Sequence, residues 1–269
     1  MLTEITPQNQ SYLKMLIAYR ELFYFFAWRD ILVRYKQALL GISWALIRPL
    51  LSMAVFALIF GKIANLPSDN INYAVFVLAG MLPWQLFAAA AMDTCNSLVN
   101  NPHLILKVYF PRIIIPLSQI IVHLVDFSIA AAMLIILMFF MNVDIGWTIL
   151  TLPFFILLIC FTCAGTGLWL SALTVNYRDF RIIVPYFVQF GMFISPVAYG
   201  SFIIAEKWQW LYALNPMVGI IDGFRWAFFG TTHPYFRMTL TISILYAILS
   251  TLSGLYYFRK MERFFADKI

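Results

Sequence analysis

Runs of eighteen or more apolar residues recur along this chain, and they restrict it to one class of fold. Wound at 1.5 Å per residue, such a run crosses a hydrocarbon core about 30 Å thick. Six segments qualify: 41–64, 73–97, 113–141, 147–172, 183–200 and 238–258. Composition agrees, with 63% of the 269 residues hydrophobic and 11% charged, where a soluble domain has about 25% charged. The expected fold is an all-α integral membrane protein of six transmembrane helices. The opening MLTEITPQNQ has no basic stretch leading into an apolar one, so the first spans are expected to do the targeting.

Orientation follows from lysine and arginine in the short connections, because basic residues are held on the cytoplasmic side. Placing both termini inside puts 13 of the 18 basic residues in the N-terminal segment, the inner loops 98–112 and 173–182, and the tail. Arg48 lies within the first span. The net charge of +6 thus reflects topology, and with no basic patch on one soluble surface a nucleic-acid partner is excluded. The chain divides into N-terminal helices at the cytoplasmic interface, 1–40, and a six-span unit, 41–269.

The inner segments carry the densest charge. VNYRDFR, 175–181, sets Arg178, Asp179 and Arg181 among Tyr177 and Phe180 on a loop too short to be a domain. A solvated turn would satisfy the charge rule with one arginine, so the mixture reads as a docking knob. NNPHLILKVYFPR, 100–112, is bounded by Pro102 and Pro111 and reads as a short surface helix with Leu104, Ile105, Val108 and Tyr109 at helical spacing. Its greasy face suits lipid or a partner's groove. Before the first span, 14–36 reads as helix whose charges wind onto more than one side, with a bend expected near Trp28. The aromatic run 22–28 suits the membrane interface as an N-terminal amphipathic helix, and 29–37 presents Arg29, Asp30 and Arg34 to the cytoplasm.

On the outer side, 200–230 is cut by Asn215 and Pro216, and its second apolar piece, 217–229, would make a helix of about 20 Å, too short to span. A re-entrant hairpin over 201–237 is expected, since a seventh crossing would send Arg259, Lys260, Arg263 and Lys268 outside.

Charges in lipid need partners. Arg48 and Asp93 lie at similar depths and are expected to pair. His123 and Asp126, three apart, face one way; they form either a proton relay or a polar contact between helices, and the contact is favoured. Aromatic residues form a second set. Tyr186, Phe190 and Phe193 share one face of span five, Tyr199 ends it, and Phe56 and Phe60 recur on span one. Flat rings stack on the C–H faces of sugars and tolerate sliding, so these residues are candidates for a polymer pathway; packing against lipid or core is the competing reading. Cys95, Cys160 and Cys163 are expected to be packing residues, with no metal site. No exposed loop carries a Ser-His-Asp set or a carboxylate pair, so the chain is not expected to be an enzyme. No phosphate loop is present; AGTGLWLS, 164–171, lies inside span four and lacks the lysine.

NYRD, then SPVAY (195–199), then NPM (215–217), with RDILVRYKQALLGISWALIRPL and the YFPR loop before them, resemble the permeases of bacterial polysaccharide-export ABC transporters of the ABC-2 type. The similarity runs along essentially the whole chain and is strongest to the O-antigen exporter, with capsule and teichoic-acid exporters as alternatives. The resemblance implies a multi-pass homodimer in the bacterial inner membrane, both termini cytoplasmic, joined to two copies of a separate ATPase subunit. ATP and Mg would sit on that partner, with no cofactor in this chain, and a lipid-linked polysaccharide would be the substrate. It assigns ATPase coupling to the N-terminal region with Arg29, Asp30 and Arg34 and to the loop with His103, Lys107, Tyr109 and Arg112. The knob of Tyr177, Arg178, Asp179 and Arg181 is the other inner element available. A proton-coupled carrier using His123 and Asp126 is the remaining alternative, although such carriers usually show internal repeats, and the first and last three spans show no similarity.

Overall fold

A computed structural model describes residues 18–36, 43–69, 71–107 and 110–268. Among them all regular structure is helical. The elements are α1 (Arg20–Lys36), α2 (Ser43–Phe56, continued as a π-helix over Ala57–Ile63), α3 (Tyr73–Ser97), α4 (Pro102–Lys107), α5 (Ile114–Phe140), α6 (Leu152–Asn176, entered by a 3-10 turn), α7 (Phe180–Ile194), α8 (Glu206–Tyr212), α9 (Pro216–Phe229), α10 (Phe236–Glu262) and α11 (Phe265–Lys268).

Five of the expected spans are helices long and apolar enough to cross a membrane: Ser43–Ile63, Tyr73–Ser97, Ile114–Phe140, Trp147–Asn176 and Phe236–Glu262. The fifth expected segment differs. Its helix, α7, has 15 residues, about 22 Å at 1.5 Å each. It stops at Ile194 because Ser195 precedes Pro196, and the residue before proline is pushed out of the helical region; Ser195 is extended at φ −88°, ψ 153°. Residues 195–200 are therefore irregular backbone.

Irregular backbone that interrupts an apolar segment must find hydrogen-bond partners within the protein. α9 and the start of α3 supply them. Arg225 of α9 donates through Nη2 to the Val197 carbonyl (2.9 Å) and through Nη1 to the Tyr199 carbonyl (2.8 Å). Tyr73, opening α3, donates to the carbonyl between them, on Ala198. Asn215 then joins the two motifs: its Oδ1 accepts from Met217 N (3.0 Å), capping α9, while its Nδ2 donates to Ser195 Oγ (2.9 Å). Pro216 in the first turn and Gly230, left-handed at φ 72°, complete the start and stop of α9.

Lipid is as apolar as leucine, so helices here gain little by hiding greasy surface and associate through close packing and polar contacts. α6 and α10 show how. A Cβ on Gly165 would stand 2.5 Å from the backbone of Ser250, and one on Gly254 would stand 2.7 Å from the Gly165 carbonyl, so the two backbones touch. Beside that contact Trp169 stacks on Tyr257, with centroids 4.3 Å apart, and donates from Nε1 to Ser253 Oγ. One core packs α3, α5, α6 and α9 around residues such as Leu78, Leu134, Phe155 and Phe224. A second gathers Phe26, Leu98, Phe110, Phe258 and Phe265 at the end of the molecule that holds α4 and α11.

Two apolar helices stay largely uncovered. α2 buries only Pro49, and α7 buries only Val184.

Candidate functional site

The charge in this chain converges where α1 meets α3 and α5. Phe26, Asp30 and Arg34 recur every fourth residue of α1 and share one face. Gln119, His123 and Asp126, at steps of four and three, share a face of α5. The two faces zip together. Phe26 packs on Phe110 with centroids 5.6 Å apart, and Asp30 accepts from Gln119 Nε2 at 2.7 Å. Arg34 reaches between two carboxylates, 2.6 Å from Asp126 Oδ2 and 3.0 Å from Asp93 Oδ2. Tyr35 adds a hydrogen bond to Asp126 Oδ1. Burial, reinforced by that hydrogen bond and by the Asp126 charge, pushes the Tyr35 phenol far above its ordinary value, so it stays a donor.

His123 closes the cluster from beneath. Its side chain is 2% exposed, with Nε2 2.8 Å from Asp93 Oδ2 and Nδ1 3.1 Å from Arg34 Nη1. A guanidinium only donates, so Nδ1 accepts and Nε2 carries the proton given to Asp93. The cluster then holds one cation and two carboxylates around a neutral imidazole. In this arrangement His123 and Asp126 do the work of a polar clasp between helices.

Several expectations change here. Arg48 does not meet Asp93; it is exposed on α2 with its guanidinium 5.8 Å from the Trp44 ring centroid, while Arg34 and His123 occupy Asp93. Depth was similar, but the two side chains project in different directions. α1 is one unbroken helix through Trp28, docked on α5 through Asp30 and Arg34. Arg34 is spent inside the bundle, and Arg29 pairs with its neighbour Asp30 at 2.7 Å while lying over Phe26. Both guanidiniums are thus engaged by carboxylates of this chain.

At the α4 end, Arg181 turns back to the end of α3, donating to Asn96 Oδ1 (3.0 Å) and Asn100 Oδ1 (2.6 Å). That tie leaves Tyr177, Arg178 and Asp179 as the exposed tip of the knob. Arg112 donates from its backbone N to Glu262 Oε1 (2.9 Å) and from Nη1 to the Glu262 carbonyl, so it anchors the end of α10. His103 is exposed on α4. Tyr109, Val108 and the side chain of Lys107 lie outside the described residues.

The aromatic candidates separate into two groups. Tyr186, Phe190 and Phe193 are 59%, 65% and 57% exposed on α7, forming one open face. Tyr199 turns its hydroxyl back toward the carbonyls of Phe193 and Ile194, where it caps α7. Phe56 packs against the core, with Phe60 5.4 Å away by ring centroid at the entrance to the π-helix. Sequence reasoning missed Tyr35, Gln119, Asp222, Arg225 and His233. A match of polar spacing between 26/30/34 and 119/123/126 would have found Gln119.

Comparison with known proteins places these features. The ABC-2 type transporter profile matches residues 21–229. An O-antigen export system permease protein, RfbA, of Klebsiella pneumoniae is 30% identical over 243 residues, which are 89% of this chain and 91% of that protein. The protein of the same name from Myxococcus xanthus is 26% identical over 254 residues, 93% of this chain and 96% of its own length. The polysialic acid transport protein KpsM of Escherichia coli is 25% identical over 204 residues, covering 72% and 76%. The matched region takes in the clasp, the knob and the capped helix α9, and the chain belongs to the ABC-2 type transporter family.

Proposed function

We propose that this chain is the permease of an ATP-driven exporter of lipid-linked O-antigen, working as a homodimer with two copies of a separate ATPase that bind ATP and Mg. The observation that carries the reading is the open aromatic face of α7, Tyr186, Phe190 and Phe193, beside the relatives named as O-antigen export permeases. A second copy of the chain facing α2 and α7 would cover their bare surfaces and enclose a path lined by rings, on which sugars can slide.

The chain would make six crossings of the bacterial inner membrane with both termini cytoplasmic. α7 and the irregular residues 195–200 together complete the fifth crossing, and α8 with α9 forms a hairpin that enters and leaves on the outer side. Coupling then falls to the surface formed by α4 with His103 and the tip Tyr177, Arg178 and Asp179. Through Arg181, bonded to Asn96 and Asn100, a push on the knob reaches the end of α3 and thence Asp93 in the clasp.

The test is reconstitution with the ATPase encoded beside the chain, followed by hydrolysis with and without purified glycan. Stimulation by O-antigen on its lipid carrier is expected; hydrolysis indifferent to glycan sinks the reading. The likeness to the polysialic acid transport protein favours a second reading, a capsule polysaccharide as substrate. The same assay with capsule polymer separates the two.

A further inference from the structure

We propose that the pocket beneath the outer hairpin is a subsite for one sugar ring of the exported glycan, an assignment that rests on the export reading above. Among the described residues, three buried side-chain atoms lack a hydrogen-bond partner: Gln209 Oε1, Arg225 Nε and His233 Nδ1. Folded proteins leave few such atoms. All three belong to α8, α9 or the irregular stretch 230–235 after it, and Arg225 and His233 line one cavity of about 160 Å³. That is room for a single pyranose.

The chemistry of the wall selects the guest. Asp222, 6% exposed, takes both protein donors on one oxygen: Ser201 Oγ at 2.6 Å and His233 Nε2 at 2.9 Å both reach Oδ2. Its Oδ1 has no protein donor among the described residues. The pocket therefore asks for a hydroxyl donor at Asp222. Phe76, Phe202 and Phe236 supply apolar walls. Adjacent hydroxyls beside a C–H face are what a sugar ring offers.

Other guests fit worse. Both terminal nitrogens of Arg225 are used by the Val197 and Tyr199 carbonyls, and a carboxylate shares the cavity, so a phosphate would meet repulsion without a free guanidinium fork. No group of three His, Cys, Asp or Glu among the described residues is placed to hold a metal ion. A lipid tail would strand the carboxylate.

The walls are fixed by backbone contacts. Arg225 Nη2 stands 2.7 Å from where a Cβ on Gly80 would be, and the Phe202 ring lies 2.1 Å from where one on Gly200 would be. Only glycine admits both neighbours. Phe202 is nevertheless 43% exposed, so its face can be changed without disturbing the core.

The test uses the full permease–ATPase complex in nanodiscs, with methyl glycosides of common hexoses as probes and inorganic phosphate as the anionic control. Saturation-transfer NMR should show ring protons of at least one glycoside receiving magnetisation from the wild type. Asp222→Asn should weaken that binding about tenfold, the effect of one charge-assisted hydrogen bond. Phe202→Leu keeps apolar volume and should weaken binding while leaving thermal stability unchanged, which excludes misfolding as the cause. Absence of transfer in the wild type, equal transfer in all three proteins, or displacement of the glycoside by phosphate overturns the proposal. Hydrolysis stimulated by full-length glycan is recorded on the same sample. Stimulation without glycoside binding sinks the subsite alone, and glycoside binding without stimulation keeps the subsite and sinks the export reading.

Discussion

Removing Arg34 should destabilise the fold measurably, and the size follows from its contacts. It makes charge-assisted bonds to Asp126 (2.6 Å) and Asp93 (3.0 Å), each worth about 1.5–3 kcal/mol when well shielded. Here the side chains are 34%, 33% and 42% exposed, which moves both bonds to the low end of that range. Arg34→Gln would also leave two carboxylates sharing a neutral imidazole with no cation, so the expected total is about 2–4 kcal/mol. SDS-induced unfolding of the purified permease, followed by circular dichroism, measures it. The sharper readout is a cycle with Arg34→Gln, Asp126→Asn and the double variant. Removing both partners relieves the unpaired charge, so the double should be more stable than the sum of the singles by about 1–2 kcal/mol. Coupling under about 0.5 kcal/mol, the level at which independent sites add, would refute the clasp as an energetic unit. A parallel cycle with Arg48→Gln and Asp93→Asn should be additive, because Arg48 lies over Trp44 and away from Asp93.

Three further outcomes are expected. Gly165→Ala places a methyl against the Ser250 backbone and should lower stability in detergent by about 1–3 kcal/mol; a variant as stable as wild type would mean α6 and α10 do not depend on that contact. Tyr186→Leu, Phe190→Leu and Phe193→Leu together keep apolar volume but remove flat faces worth about 1 kcal/mol per ring, so membrane insertion and ATPase binding should persist while export of long chains falls. Full-length export at the normal rate would take α7 out of the pathway. Arg178→Glu with Asp179→Lys alters only the exposed tip and should release the ATPase in co-purification without loss of folded permease, whereas Arg181→Glu should destabilise the fold through Asn96 and Asn100; co-purification unaffected by the tip variant would return the knob to a solvated turn.

Apolar run length was sufficient to place most spans, because a helix in lipid has to be both long and apolar. Segments 73–97, 113–141, 147–172 and 238–258 lie close to the helical bounds Tyr73–Ser97, Ile114–Phe140, Trp147–Asn176 and Phe236–Glu262. Hydropathy failed at 183–200, where the composition stays apolar through Pro196 and only the restriction on Ser195 ends the helix. It failed again in α1. The stripe that docks this helix is Phe26, Asp30, Arg34, one ring and two opposite charges, and such a mixture has no hydropathy signature even though its period is helical. For the same reason Asp93 was assigned a partner by depth. Depth gives a position along the membrane normal, but pairing also needs the azimuth around each helix, and a second helix lying alongside can deliver a charge to the same level.

The chemistry around α9 was opaque in the sequence, yet one line of reasoning from the sequence leads into it. SPVAY follows an apolar helix directly and contains a proline, so carbonyls near it must leave the helical ladder and find partners within the protein if water is excluded. Each such carbonyl requires a donor from elsewhere in the chain, and a donor with two arms satisfies the condition most simply. A buried arginine in the short helix that follows NPM fits that need. Arg225 fills it at Val197 and Tyr199, and Tyr73 fills it at Ala198. With both terminal nitrogens of Arg225 bonded to backbone, Asp222 takes its hydrogen bonds from Ser201 and His233. The polar pocket is thus a consequence of how α7 ends: the proline that stops the helix recruits the arginine, and the arginine's commitment leaves an aspartate with one oxygen to offer.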